Sequence, residues 1–293
     1  MGYPEGTTRL YLIDASGGTP QLVDTGCVAP CSGDSDAAFS SDGRRLVFVR
    51  TLALPPTSTR PSSIAGKPPG STPASVLATI DLSTGRVEEL ASTTILDCPL
   101  LPGQRKPGVG NCGGFQDHPP RWSPDSAQIV FTQDVPYDIN GPTINGADPP
   151  SSPPALFVVD ADGGNLRKIG LAESAEWSPD GARIVFGSVT DVPDPYAGAG
   201  TGYWLRQYYD IYTVRPDGTE LRRLTSDQVS RLPRWSVGGR IWFIRQLDMV
   251  NGIPNGKEPP QFWVMDADGS NAAQLSVSPL LLQTWPIAWS PQP

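Results

Sequence analysis

Histidine, the side chain used most often for acid–base chemistry, occurs only once in this chain. His118 is the only histidine, and it lies in a proline-rich stretch. A serine triad needs a histidine base, and no Gly-x-Ser-x-Gly sequence is present to hold the nucleophile. Carboxylates such as Asp36 and Glu176 could together cleave a glycosidic bond if the fold held them about 5–10 Å apart. The sequence therefore favours a protein without catalytic residues, in which His118 is a structural hydrogen-bonding residue.

The four cysteines form two pairs that are close in sequence, Cys27 with Cys31 and Cys98 with Cys112. Neither pair has the Cys-x-x-Cys spacing of many zinc sites, although zinc bound by four cysteines, or by three with His118, is the alternative. We predict two disulfides, each of which would brace a loop rich in glycine and proline. Because disulfides persist outside the reducing cytosol, we expect an extracytoplasmic protein, periplasmic or secreted.

Motifs for metal or cofactor binding are weak. The Asp-Ala-Asp-Gly sequence that begins at Asp160 has the aspartate spacing that opens an EF-hand loop, but the glutamate that completes such a loop is missing. Residues 108–110 read Gly-Val-Gly, without the lysine and helix of a phosphate-binding loop. We therefore expect neither a metal nor a cofactor.

Composition narrows the class of protein further. Of 293 residues, 31 are glycine and 33 proline, which argues against long helices, whereas 38% hydrophobic residues and eight tryptophans argue for an ordered core. A net charge of −8 disfavours binding to nucleic acid or to anionic lipid, since both require a basic face. No apolar run approaches the ~20 residues of a membrane span. The first residues have no basic and apolar segments in the order of a signal peptide, so we expect none in this chain.

A short phrase that recurs five times is the strongest signal in the sequence. Its most complete copy is Trp-Ser-Pro-Asp-Gly at residues 177–181. The aromatic residue of each copy lies at 39, 122, 177, 235 and 289, so that the separations are 83, 55, 58 and 54 residues. Pro-Asp-Gly between two apolar segments is a turn, because proline presets φ, aspartate caps the turn and glycine accepts a positive φ. Each copy thus predicts a hairpin, between strands that we name A and B.

A second phrase predicts another hairpin, between strands C and D. It reads Asp-Ala-Asp-Gly-Gly at 160–164, after an apolar strand, and its relatives lie at 10–18, 76–85, 211–218 and 262–269. One repeat is therefore a four-stranded antiparallel meander of about 55 residues. Meanders repeated around an axis make a β-propeller, which leaves few free sheet edges. A solenoid of stacked meanders is the alternative.

The two phrases resemble the repeat of TolB-like β-propellers, the WD40-like family also called PD40. The resemblance covers nearly the whole chain, although Val237 and Gly238 replace Pro-Asp in the fourth copy and Phe39 replaces tryptophan in the first. It implies an all-β fold of four-stranded blades in one domain, residues 1–293. We expect five blades, the ring being closed by the hairpin of residues 10–23 and the last A strand, 286–290. Six blades, typical of the family, are the alternative. In that family the chain also ends soon after such a Trp-Ser-Pro, so we expect a natural C-terminus and either a trimmed N-terminus or a three-stranded closing blade.

Meander geometry predicts where function lies. The A–B and C–D turns fall at one face, and the long B–C and D–A connections at the other; the latter include 51–75, 91–120, 133–154, 189–209 and 246–261. Long loops on a rigid scaffold commonly bind partners. The aromatic residues in these loops either recognise a ligand or fold over blade edges. Charged residues before each A strand form either a ring of salt bridges between blades, which we favour, or a pocket for a polar ligand or cation.

These patterns together predict a non-catalytic extracytoplasmic module that binds a protein or cell-envelope component through its long-loop face. A carbohydrate-active enzyme, glycosidase or lyase, with carboxylates at the channel mouth is the alternative. We expect a monomer that binds no nucleic acid and has no membrane span, whose partner is a protein or a cell-envelope polysaccharide. The candidate ligand-binding residues are Asp36, Asp117, His118, Arg121, Tyr137, Glu176, Tyr203, Trp204, Tyr208, Arg234 and Trp285.

Overall fold

The computed structural model describes residues 8–29, 31–52, 74–90, 119–134, 154–193, 205–247, 249–250, 253–254 and 259–275. Twenty strands and no helix occur in these ranges. No helix in this part of the chain is long and apolar enough to cross a membrane. The all-β class predicted from the repeat is confirmed.

The strands follow the predicted order A, B, C, D within each repeat. Their bounds are β1 (Tyr11–Leu12), β2 (Gln21–Leu22), β3 (Cys31–Phe39), β4 (Arg45–Leu52), β5 (Ala74–Asp81), β6 (Val87–Glu89), β7 (Arg121–Trp122), β8 (Gln128–Asp134), β9 (Pro154–Asp160), β10 (Arg167–Leu171), β11 (Glu173–Trp177), β12 (Ile184–Pro193), β13 (Leu205–Val214), β14 (Arg222–Arg223), β15 (Ser230–Trp235), β16 (Ile241–Arg245), β17 (Met249–Val250), β18 (Ile253–Pro254), β19 (Gln261–Met265) and β20 (Ala273–Gln274).

Four of the sheets are four-stranded meanders, as predicted, and we call them blades 1 to 4. They are β3-β4-β5-β6, β7-β8-β9-β10, β11-β12-β13-β14 and β15-β16-β19-β20, with neighbours hydrogen-bonded in that order. The hairpin β1-β2, predicted to belong to a fifth blade, forms a separate two-stranded sheet within the described residues. The pairing that would close the ring lies outside the described residues, because it involves 286–290. The small hairpin β17-β18, inside the long connection of blade 4, was not predicted.

The A–B turns are closed by side chains of the repeated phrase. In blade 3 the Ser178 hydroxyl donates to Asp180 at 2.6 Å and accepts from the backbone N–H of Arg183 at 2.9 Å. Gly181 takes the positive φ of 70° that this turn requires. Blade 2 has Ser126 at that position, with φ 58°, and its hydroxyl accepts the backbone N–H of Ser41 from blade 1. The turn phrase thus shapes each hairpin and also joins two blades.

The C–D turns are closed by aspartates in the same way. Asp81 accepts hydrogen bonds from the Ser83 hydroxyl and the backbone N–H of Thr84, at 2.6 and 2.9 Å. These bonds lower the pKa of Asp81 to about 2, with the Ser83 hydroxyl contributing most. In the corresponding turn of blade 4, Asn271 donates to Asp266. The side chains of these aspartates therefore close the turns, as the repeat phrase predicted.

The chain divides into two compact units, Met1–Asp138 with Phe157–Arg167, and Ile139–Leu156 with Lys168–Pro293. Each has its own apolar core. In the first, the repeat tryptophan of blade 2 is buried between strands of blades 1 and 2, in a cluster of Val47, Leu77, Leu90, Trp122, Ile129, Phe131 and Val159. In the second, blades 3 and 4 share a cluster of Val185, Ile211, Ile241, Phe243 and Met265. Aromatic and β-branched residues of the repeat thus pack blade against blade.

Strand A bulges at one repeat position in blades 1, 3 and 4, which the sequence did not predict. The antiparallel register shifts between Ser35 and Ala38 in blade 1, and at equivalent pairs in the other two blades. The residue three before the repeat aromatic lies in the left-handed region, with φ of 53°, 56° and 53° at Asp36, Ser174 and Leu232. A bulge re-aims side chains and leaves backbone groups outside the ladder.

Candidate functional site

The described turns join strands at one end of each sheet, and the long connections join strands at the opposite end. The A–B and C–D turns are short, and their polar side chains form hydrogen bonds within the turn. Few side chains there are therefore left to bind a ligand. The starts of strands A and C and the ends of strands B and D form the other end, which we call the long-loop end. Side chains at the long-loop ends are therefore where the described structure presents its candidate functional site.

In the first unit a buried ion pair lies at the long-loop end of blade 1. Asp34 and Arg50 are partners in the register of β3 and β4, and Arg50 Nε lies 3.0 Å from Asp34 Oδ1. The Asp34 side chain is fully buried. Its other oxygen accepts from the Thr25 hydroxyl, while Arg50 also donates to the Thr25 carbonyl at 2.8 Å and pairs with Glu89 at 3.2 Å. Burial opposes the Arg50 charge, but the hydrogen bonds and charges of Asp34 and Glu89 outweigh it and raise the Arg50 pKa.

The disulfide between Cys27 and Cys31 lies against this ion pair. Cys31 Sγ is 3.8 Å from Asp34 Oδ1. This bond confirms one of the two predicted disulfides, whereas Cys98 and Cys112 lie outside the described residues. Within the described ranges, Cys27, Cys31 and Asp34 form a cluster with the proximity of metal ligands. Two of the three are joined to one another and the third is bonded to Arg50 and Thr25, so the cluster does not fit a metal ion.

In the second unit an arginine with a carboxylate partner lies at the equivalent place in blade 4. Arg245 Nε is 3.0 Å from Asp227 Oδ2, and its guanidinium lies 4.6 Å from the centre of the Trp263 ring. Asp227 also caps the start of strand A, since its carboxylate accepts from the backbone N–H and the hydroxyl of Ser230 at 3.0 and 2.8 Å. This arginine is therefore fixed by both an ion pair and an aromatic ring.

A second arginine of blade 4, Arg231, has no ion pair within the part of the chain that the structure describes. The guanidinium of Arg231 lies 4.6 Å from the centre of the Tyr209 ring, and Tyr209 is 5% exposed. The Tyr209 backbone N–H donates to the carbonyl of Gln228 at 3.2 Å, which ties strand C of blade 3 to the segment before strand A of blade 4. In the same region Asp210 is bonded by Arg223 at 2.7 Å and by the Thr225 hydroxyl at 3.0 Å.

Four of the sequence-predicted site residues have described side chains. Arg121, Glu176 and Arg234 occupy one repeat position, since each pairs with strand B one residue before the repeat tryptophan. The Glu176 carboxylate accepts the backbone N–H of Trp235 at 2.9 Å, and Arg234 donates to the carbonyl of Pro233 at 3.2 Å. At this repeat position, blades 3 and 4 are therefore joined by a hydrogen bond between a carboxylate and a backbone N–H. Asp36 is exposed at the bulge of β3, where its carboxylate accepts from Ser35.

The other predicted site residues stay predictions. Tyr208 belongs to strand β13, where its backbone pairs with Thr190, rather than to a loop. The long connection of blade 3 is accordingly shorter than predicted, because β12 and β13 pair as far as Pro193 and Leu205. The remaining candidates lie outside the described residues: Asp117, His118, Tyr137, Tyr203, Trp204 and Trp285.

Sequence reasoning missed the arginines at the long-loop ends, although a signal for two of them was present. Arg50 and Arg245 each stand two residues after the buried phenylalanine of strand B, Phe48 or Phe243. Alternation along a strand places both arginines on the same face as that phenylalanine. A charged residue at a repeat position otherwise reserved for the core would have indicated a buried ion pair. No comparable signal marks Arg231, whose contact with Tyr209 joins two blades.

Comparisons with known proteins support the fold and leave the function open. No protein-family model matches the chain, and no curated protein matches it. An oligogalacturonate lyase solved with manganese is similar in structure, with 17% identity, a TM-score of 0.53, and coverage of 91% of this chain and 58% of the lyase. An oligogalacturonate lyase from Vibrio parahaemolyticus is 16% identical, with a TM-score of 0.52, and the match covers 91% of this chain and 60% of the lyase. TolB from Acinetobacter baumannii is 17% identical, with a TM-score of 0.48, and the match covers 92% of this chain and 48% of TolB.

The chain thus spans about half to three fifths of the length of these solved structures. At such identities the similarity concerns the fold alone, and the lyases carry it, since their TM-scores exceed 0.5. Together with the four meanders, it establishes a TolB-like β-propeller fold of about five blades, as the repeat predicted.

Proposed function

We propose that this protein is a non-catalytic, extracytoplasmic propeller module that binds a protein or a cell-envelope polysaccharide through its long-loop ends. The difference between the two ends of the blades is the observation that carries the proposal. The turn ends are closed by short side-chain hydrogen bonds within the repeat phrase. The long-loop ends instead hold arginines and aromatic rings, the side chains that dominate recognition surfaces.

Location outside the reducing cytosol is supported by the disulfide between Cys27 and Cys31. The acidic composition, with a net charge of −8, agrees with a module that binds neither nucleic acid nor anionic lipid. The repeat phrase resembles that of TolB-like propellers, and this resemblance implies a protein partner as one of the two ligand classes in the proposal.

A binding role without catalysis is supported by how the described carboxylates are used. Asp34 and Asp227 bind arginines, and Glu176 binds the backbone N–H of Trp235. A general acid or base must instead be within hydrogen-bond reach of a substrate proton. These three carboxylates stabilise strands and blade contacts.

The proposal is tested by replacing residues 194–204 with Asn-Gly. Because β12 and β13 pair up to Pro193 and Leu205, a two-residue turn can join them without a change of register. We expect capture of a cross-linked partner from a cell-envelope extract, or retention of an envelope polysaccharide, to fall by about tenfold or more. Val237→Lys is the matched control, since Val237 is exposed in an A–B turn and should leave capture unchanged. Equal capture by the two variants would contradict the proposal.

A carbohydrate-active enzyme is the second candidate, favoured by the fold shared with the oligogalacturonate lyases. Its test is incubation with polygalacturonate and a panel of other polysaccharides, with and without added manganese. We expect no chain cleavage. Cleavage that disappears in Asp117→Asn or Glu176→Gln would replace the binding proposal by this one.

A further inference from the structure

We propose that Arg231 forms a subsite for a carboxylate group of the bound ligand, held ready by Tyr209 at the junction of blades 3 and 4. This inference rests on the function proposed above and names the chemistry of one contact within it. The observation behind it is a cation that is held in place and has no carboxylate partner among the described residues.

Other arginines at the long-loop ends have carboxylate partners. Arg50 pairs with Asp34 at 3.0 Å, Arg245 with Asp227 at 3.0 Å, and Arg223 with Asp210 at 2.7 Å. Arg231 differs, because no carboxylate of the described residues lies within 4.0 Å of it. In a chain with 30 acidic and 22 basic residues, excess acid is available to pair with it. A half-buried arginine that has none is set apart from its neighbours.

The surroundings of Arg231 hold it rather than neutralise it. Its guanidinium lies 4.6 Å from the centre of the Tyr209 ring, a cation–π contact that holds the group without neutralising its charge. Tyr209 is buried, and its strand is tied to the chain before Arg231 through the carbonyl of Gln228. Arg231 Nε is enclosed, with no hydrogen-bond partner in the described part of the chain. The outer N–H groups are therefore the ones left to meet a ligand.

A second cation lies three positions along the same strand. Arg234 has no carboxylate partner among the described residues either, and donates only to the carbonyl of Pro233. Between the two arginines the strand bulges at Leu232, whose φ is 53°. Strand A of blade 4 thus carries two guanidinium groups without a carboxylate partner among the described residues, Arg231 next to its start at the long-loop end and Arg234 next to its end.

A carboxylate is the anion that fits this arrangement. The planar guanidinium forms two parallel hydrogen bonds to a carboxylate, and stacking on a ring reduces the freedom lost when they form. Both proposed ligand classes can supply the group, as a uronic acid of a polysaccharide or as a carboxylate of a polypeptide. The experiment separates these sources.

The test is calorimetric titration of the whole chain with two matched pairs of probes. One pair is a glucuronate-containing oligosaccharide and its neutral glucose counterpart; the other is a peptide with a free terminal carboxylate and its amide. We expect one acidic probe to bind at least about tenfold more tightly than its neutral counterpart, and more weakly as salt rises. Arg231→Gln should weaken that probe by about tenfold, and Arg231→Lys by less, because lysine keeps the charge and loses the plane. Arg240→Gln, which removes an exposed paired arginine at the turn end of blade 4, should change the affinity less than about twofold.

Each result decides the proposal. It is wrong if neither acidic probe binds, if the neutral counterpart binds equally well, or if Arg231→Gln binds like the wild type. Circular dichroism and melting temperature of Arg231→Gln show whether the variant is folded, and Arg231→Lys supplies the comparison if it is not. Partner capture that depends on residues 194–204 but not on Arg231 would leave the binding function standing without this subsite. Capture that depends on neither would contradict both.

Discussion

Arg50 and Asp34 face one another across strands β4 and β3, with Nε and Oδ1 3.0 Å apart and the Asp34 side chain closed to solvent. Removing one member of a buried pair leaves the other charge without compensation, which costs about 3–5 kcal/mol. The stability of blade 1 should therefore depend strongly on this one ion pair at its long-loop end.

We predict that Asp34→Ala lowers the free energy of unfolding by about 3 kcal/mol, because Arg50 then stays buried without its main anion. Chemical denaturation gives the value. Glu88→Ala is the control, since Glu88 pairs with Arg86 in an exposed position and should cost less than about 1 kcal/mol. Equal losses for both variants would show that the buried pair has no special weight.

The disulfide of blade 1 should contribute stability through the unfolded chain. Cross-linking residues four apart removes entropy worth about 2 kcal/mol from the unfolded state. We expect Cys27→Ser with Cys31→Ser to lower the free energy of unfolding by that amount under oxidising conditions. A reductant should lower the melting temperature of the wild type by more than that of the double variant. An identical response to reductant in both proteins would contradict the prediction.

A side chain at Gly239 should be destabilising, although nothing lies within 4 Å of the place a Cβ would occupy. Its φ is 76°, in the left-handed region, so we expect Gly239→Ala to cost about 1–2 kcal/mol from backbone conformation alone. Gly238→Ala, one residue earlier and without a positive φ, is the matched control and should be close to neutral. Thermal unfolding of the two variants separates conformational strain from crowding.

Acid should weaken the C–D turn of blade 1. Hydrogen bonds from the Ser83 hydroxyl and the Thr84 backbone lower the pKa of Asp81 from 3.8 to about 2. A carboxyl whose pKa is depressed on folding stabilises the protein above its unfolded pKa, and that contribution is lost as the pH falls through the folded value. We therefore expect the stability difference between wild type and Asp81→Asn to be full above about pH 4 and to shrink towards pH 2.

Urea titrations at a series of pH values test this, with Ser83→Ala as a second variant. Removing the main hydrogen bond to Asp81 should move the acid loss of stability to a higher pH. A difference between wild type and Asp81→Asn that is the same at every pH would refute the assignment.

Local patterns of this chain were sufficient to predict the strands of the four meanders, but not the small hairpin β17-β18. Ser178, Asp180 and Gly181 close a turn with groups only a few residues apart, so the turn follows from its own sequence. The apolar strands on either side of such turns then predict the four meanders. One disulfide followed from spacing as well, since Cys27 and Cys31 are too close in the chain to need the fold to bring them together.

Only the tertiary structure decided what the charged residues near strand A do. The sequence placed Glu176 and Arg234 at one repeat position and predicted salt bridges between blades. In the structure Glu176 binds the backbone N–H of Trp235. The strand that contains Trp235 bulges at Leu232, and no local sequence pattern predicted this bulge. The contact of Arg231 with Tyr209 likewise depends on how blade 4 packs on blade 3. Pairing within a hairpin is set by neighbours along the chain, whereas contacts between blades depend on bulges and packing angles that no single repeat contains.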